Sequence, residues 1–160
     1  MSQPHLIRLS SPWQFRVVSH VGPRTASDDA DLWPTDEPIR VQVPADWSAI
    51  LGTSFRGGVE YSRFFHQPTG IDTDTRIQLR LELVDGVATV SLNDELLGTA
   101  CWPDFPKRFD ITGRLRNRNE LRIGVELLEA DQGAIATDRP PGRTTSNAGG
   151  LVGEVLLEIG

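Results

Sequence analysis

From residue 76 the chain alternates. Ile77, Leu79, Leu81 and Leu83 are apolar, and Gln78, Arg80 and Glu82 between them are polar. A period of two marks a β-strand with one buried and one wet face, as antiparallel sheets have. The pattern returns as Leu121, Ile123, Val125 and Leu127 against Arg122, Gly124 and Glu126, and again as Val155, Leu157 and Ile159 against Glu154 and Glu158. Further strands are expected at 5–9, 13–19, 39–43, 59–65, 87–93, 96–100 and 108–111. Asp85-Gly86 lies between two strand patterns and reads as a short hairpin turn. Asn93-Asp94 lies between two more, and both residues tolerate positive φ. No segment sustains a 3.6-residue apolar period with caps, so long helices are not expected. The pattern predicts an all-β fold, a two-sheet antiparallel sandwich or jelly roll.

Two stretches break the rhythm. Residues 22–38 hold three Pro and four Asp, and residues 133–150 are rich in Gly, Pro, Thr and Ser. Both read as long loops, which in compact domains are functional or mobile. A length of 160 residues with 38% hydrophobic content suits one domain, residues 1–160, around one core. Phosphate binding relies on Lys and Arg displacing counterions, so a net charge of −6 argues against a nucleic-acid partner. No apolar run approaches the ~20 residues that cross a bilayer, and no membrane partner is expected. Cys101 is the single cysteine, which excludes an intrachain disulfide and suits a small buried hydrophobe. Met1 to His5 lack a basic segment followed by an apolar one, and the expected compartment is cytoplasmic.

Several segments, in order, resemble the N-terminal sugar-binding domain of glycoside hydrolase family 2, the β-galactosidases and β-glucuronidases. They are Val43-Pro44-Ala45-Asp46-Trp47; Gly58-Val59-Glu60-Tyr61-Ser62-Arg63-Phe64-Phe65; Leu83 to Asn93 with Leu97-Gly98; Phe109-Asp110-Ile111-Thr112 with Leu115 and Asn119-Glu120-Leu121; and Gly149-Gly150-Leu151-Val152-Gly153-Glu154-Val155. The likeness runs from about residue 39 to 159. It implies a jelly roll like galactose-binding domains. It also implies a module without catalytic machinery of its own, because the family's two catalytic glutamates lie on a separate downstream (β/α)₈ barrel. Most of the matched residues suit structural roles: anchors such as Phe109 and Ile111, and short polar groups such as Asp110 and Thr112 that bond backbone.

Catalytic chemistry finds little support. A glycosidase needs two carboxyls at a set separation, yet Glu82, Glu126, Glu154 and Glu158 fall on the wet faces of expected strands, and only a loop pair such as Asp104 with Asp138 stays open. His5, His20 and His66 lack zinc spacing, and Asp72 with Asp74 is a thin calcium signal, so no metal or cofactor is expected. Sugars stack their C–H faces on aromatic rings. Trp13 and Trp47 read as plugs closing the core. Trp102 with Asp104 and Arg63, together with Trp33 in the first loop, form the expected ligand-facing set. The expected function is a non-catalytic, carbohydrate-binding-like module with a saccharide partner. The alternatives are an assembly module that binds a protein partner or a second copy of itself, and a glycoside hydrolase.

Overall fold

The computed structural model describes residues 5–10, 12–20, 34–127, 140, 142 and 147–160. Trp33, Asp138 and most of the two expected loops lie outside them. Among the described residues ten strands form: β1 (His5–Arg8), β2 (Trp13–His20), β3 (Ile39–Val41), β4 (Gly57–His66), β5 (Ile77–Leu81), β6 (Val87–Leu92), β7 (Glu95–Ala100), β8 (Lys107–Asp110), β9 (Arg118–Leu127) and β10 (Val155–Ile159). One helical turn, α1 (Ser48–Leu51), interrupts them. A four-stranded sheet runs β1-β10-β5-β8, and a six-stranded sheet runs β3-β2-β4-β9-β6-β7. Every pairing is antiparallel. The fold is the two-sheet sandwich that the alternation predicts, with all ten strands where it placed them to within a few residues.

Alternation explains the core. Phe15, Tyr61, Ile123 and Val90 point inward from the six-stranded sheet and meet Ile77, Leu79, Leu81 and Leu157 from the four-stranded one. Inner faces that interdigitate in this way fill the ~10 Å between stacked sheets. Trp13 and Trp47 are fully buried. The Trp13 indole N–H donates to the Leu9 carbonyl at 2.9 Å, and Trp47 packs edge-on against Phe55. Both are the plugs expected of them.

Asn93 and Asp94 adopt φ of 51° and 68° and join β6 to β7. Two positive φ values match the right-handed twist of a hairpin. Asp85-Gly86 behaves differently from its sequence signal. It joins β5 to β6, which belong to different sheets, so it is a crossover and not a hairpin. Asp85 exchanges both backbone bonds with Gly150 at 3.0 Å. Gly86 has φ +125°, and a Cβ there would lie 2.8 Å from the Glu126 carbonyl oxygen. Only glycine lets the chain pass that close to β9.

The outer face of the four-stranded sheet carries ion pairs where sequence suggested plain solvated carboxylates. Glu158, with 11% of its side chain exposed, accepts from Arg80 at 2.6 Å and from Arg108 at 3.1 Å. Arg80 also pairs with Glu82, and Arg8 with Glu154. The Arg80 hydrogen bond, aided by Arg108, holds the Glu158 carboxyl below the usual glutamate range. A carboxyl lowered by folding stabilises fully above its unfolded pKa of ~4.3, and loses that contribution as pH falls through the folded value. Glu158→Gln is expected to cost ~1–2 kcal/mol at pH 7 and to flatten the loss of stability below pH ~4. Urea midpoints at neutral and acid pH check both.

Candidate functional site

The six-stranded sheet has a wet outer face whose shape follows from side-chain size. Along β4 the inward positions are Val59, Tyr61 and Phe65, so Gly58, Glu60, Ser62 and Phe64 face out. On β9, Glu120, Arg122, Gly124 and Glu126 do the same, with Glu60 opposite Gly124 and Ser62 opposite Arg122. Gly58, Ser62 and Gly124 put little or nothing above the two central strands. Longer side chains of β2 and β9 stand on either side, and the segment at 34–38 borders β2, where the Pro34 carbonyl accepts from Val17 N at 2.6 Å. The result is a furrow over β4.

It consists of two adjoining hollows that share Glu60. One, of ≈ 280 Å³, lies among Arg16, Asp36, Glu60, Ser62, Glu120 and Arg122. The other, of ≈ 200 Å³, lies over Gly58 and Gly124, beside Val18, Thr89 and Glu126. Together they reach the size of small ligand sites, ~300–1,000 Å³. Arg16 Nε donates to Glu60 Oε1 at 3.1 Å. Arg122 pairs with Glu120 at 2.9 Å and reaches Asp94 at 3.7 Å. Each pair sets a charged donor beside a charged acceptor in fixed geometry, which suits the adjacent hydroxyls of a polyol, since each hydroxyl both donates and accepts. At the far end Phe64 is 49% exposed, and the Arg118 guanidinium lies 4.1 Å from its ring centroid. Among the described residues no group of three or more His, Cys, Asp and Glu side chains is placed to hold a metal. None of the described helices is long and apolar enough to cross a membrane.

The expected ligand set is not gathered in one place. Trp102 and Asp104 share the connection at 101–106, which crosses from β7 to β8. Trp102 is half-buried and Asp104 exposed. Backbone bonds from Asp104 to Cys101 and from Phe105 to Pro103 hold this loop, and Pro103 and Pro106 follow cis peptide bonds. Arg63 lies on the inner face of β4, opposite Leu121, which in turn pairs with Leu92. Ala100, just before the connection, is level with Ala88, Val125 and Val59. Four residues along the strands and three strand spacings across put Arg63 roughly 20 Å from the Trp102 loop. The Arg63 Nε is buried with no hydrogen-bond partner among the described residues, and burial lowers its pKa from the usual arginine value. Trp33 lies outside the described residues. Sequence alone reads the polar outward positions of the furrow as ordinary solvated faces. The signal available was a run of small outward residues, Gly58, Ser62 and Gly124, with one aromatic, Phe64, on the wet side of its strand.

The model of the family described as glycosyl hydrolase 2 galactose-binding domain-like matches residues 55–149. No curated protein matches the chain. Solved structures with the same fold include a Bifidobacterium dentium β-glucuronidase complexed with coumarin-3-O-glucuronide, at TM-score 0.70 and 22% identity over 99% of this chain and 30% of that one. An Eisenbergiella tayi GH2 β-galacturonidase bound to glycerol follows at TM-score 0.69 and 20% identity, over 98% and 24%. A Bacteroides uniformis β-glucuronidase gives TM-score 0.66 and 23% identity, over 98% and 18%. The chain thus spans less than a third of each of these proteins, and at such identities the likeness is one of fold.

Proposed function

Since the chain belongs to the glycosyl hydrolase 2 galactose-binding domain-like family, whose model it matches over more than half its length, we propose that it is a non-catalytic saccharide-binding module. The observation that carries this reading is the furrow over β4, where the Arg16–Glu60 pair offers a donor and an acceptor side by side above a floor of small residues. The likeness to glucuronidases and galacturonidases supports it as well, because the matched part is the family's galactose-binding-like unit. The 101–106 connection is the weaker location: Trp102 is half-buried there, and Arg63 is not beside it.

Calorimetry against a panel of neutral mono- and oligosaccharides tests the proposal. Wild type is expected to bind a member of the panel. Glu60→Ala is expected to weaken that binding at least tenfold, ~1.4 kcal/mol, and Trp102→Ala to leave it unchanged. Silence across the panel at millimolar sugar would remove the ligand from the account. The protein is expected to turn over no nitrophenyl β-galactoside or β-glucuronide. A second reading is an assembly module, since in the matched structures the same fold sits within longer chains. Light scattering after size exclusion addresses it: a strict monomer at high concentration counts against self-association.

A further inference from the structure

The furrow is longer than one sugar ring requires. Its two hollows lie over the outward positions Gly58, Glu60 and Ser62 of β4, and Phe64 is the next outward position beyond them. Six residues of strand span ~20 Å, enough for several pyranose rings laid end to end. Along that line the chemistry changes in a way that suits a chain. The middle offers the Arg16–Glu60 pair and Arg122 beside Ser62. The end offers Phe64, a half-exposed ring whose cross-strand neighbour is Glu120 and which carries Arg118 over its face. A ring in contact with a cation is held in place, and its remaining exposed surface can stack on a sugar's C–H face.

Charge narrows the ligand further. Asp36, Glu60, Glu120 and Glu126 border the two hollows, against Arg16 and Arg122 there and Arg118 at the Phe64 end. Arg16 and Arg122 are already paired with carboxylates. A uronate would bring a further carboxylate to a surface that is negative on balance, and like charge opposes such binding.

From length, the aromatic end and the charge, we infer that the furrow binds a linear oligosaccharide lengthwise along β4, that the chain is neutral or carries amino groups, and that Phe64 is the platform for one of its outer units. The inference rests on the proposed saccharide function and adds orientation, length and class to it.

Calorimetry on the whole chain tests it with linear one-, two-, four- and six-unit oligomers of glucose, galactose, mannose and N-acetylglucosamine, with glucosamine and galacturonate oligomers beside them. For at least one neutral or amino series, affinity is expected to rise at least tenfold from one unit to four and then level off. Phe64→Ala is expected to bring the four-unit ligand down to the two-unit value, to leave the monosaccharide unchanged, and to melt at the wild-type temperature. Phe64→Tyr is expected to keep the gain. Affinity independent of chain length, or galacturonate oligomers bound as tightly as the best neutral series, would overturn the inference while leaving the saccharide function standing. No binding to any series would overturn both.

Discussion

Asn119→Ala is expected to destabilise the protein by about 3 kcal/mol, a large share of the 5–15 kcal/mol that holds a typical domain together. Asn119 is fully buried. Its amide nitrogen donates to the Arg116 carbonyl at 2.9 Å and the Phe65 carbonyl at 3.4 Å. Its carbonyl oxygen accepts from Arg116 N at 2.8 Å and from the Asn93 amide at 3.0 Å. Asn93 in turn accepts from Glu120 N at 2.8 Å. The two asparagines thereby tie the β6–β7 turn to the start of β9. Alanine leaves these partners without their bonds in a place water does not reach, and that desolvation penalty is the bulk of the cost. Asn119→Asp keeps the acceptors and loses both amide donations, so it is expected to fare no better. Urea unfolding followed by tryptophan fluorescence measures both variants, with an unchanged slope expected.

Gly150→Ala is expected to cost ~3 kcal/mol or more, because two penalties of known kind add. Gly150 has φ +136°, a region that side chains rarely enter. A Cβ there would lie 2.7 Å from the Tyr61 hydroxyl oxygen and 3.2 Å from the Ala45 carbonyl oxygen. Tyr61 cannot yield: its ring is buried edge-on against Phe15, its hydroxyl is engaged with the backbone of Leu151, and burial drives its pKa well above the usual phenol value. Gly150 is also where the β5–β6 crossover is pinned to Asp85. Thermal melts against wild type check the prediction. A variant as stable as wild type would mean that Tyr61 and the Asp85–Gly150 bridge are looser than described.

The layering of the fold was legible in the sequence for a plain reason. Each strand buries one face, so Leu79, Ile123 and Leu157 announce their side of the sheet by parity alone. Asn93-Asp94 was legible because a two-residue turn needs positive φ at both positions. Asp85-Gly86 misled, since a local turn signal says how the chain bends and not which sheet the next strand joins. That choice is made by β10 and β8, which flank β5 and leave it no free edge for β6.

Arg63 shows the opposite case. Tyr61 and Phe65 on either side of it fix its parity as inward, yet its charge suggested a place facing ligand. The furrow was the least legible feature. It is made of missing side chains at Gly58 and Gly124, which lie far apart in sequence and meet only through the β4–β9 register.

Amide chemical-shift mapping during titration with a neutral linear tetrasaccharide tests the saccharide furrow most directly. The predicted result is a continuous band of perturbed amides at Glu60, Ser62 and Phe64 on β4 and at Glu120 to Gly124 beside them. Shifts confined to the 101–106 connection, or no shifts at all at saturating sugar, would contradict it.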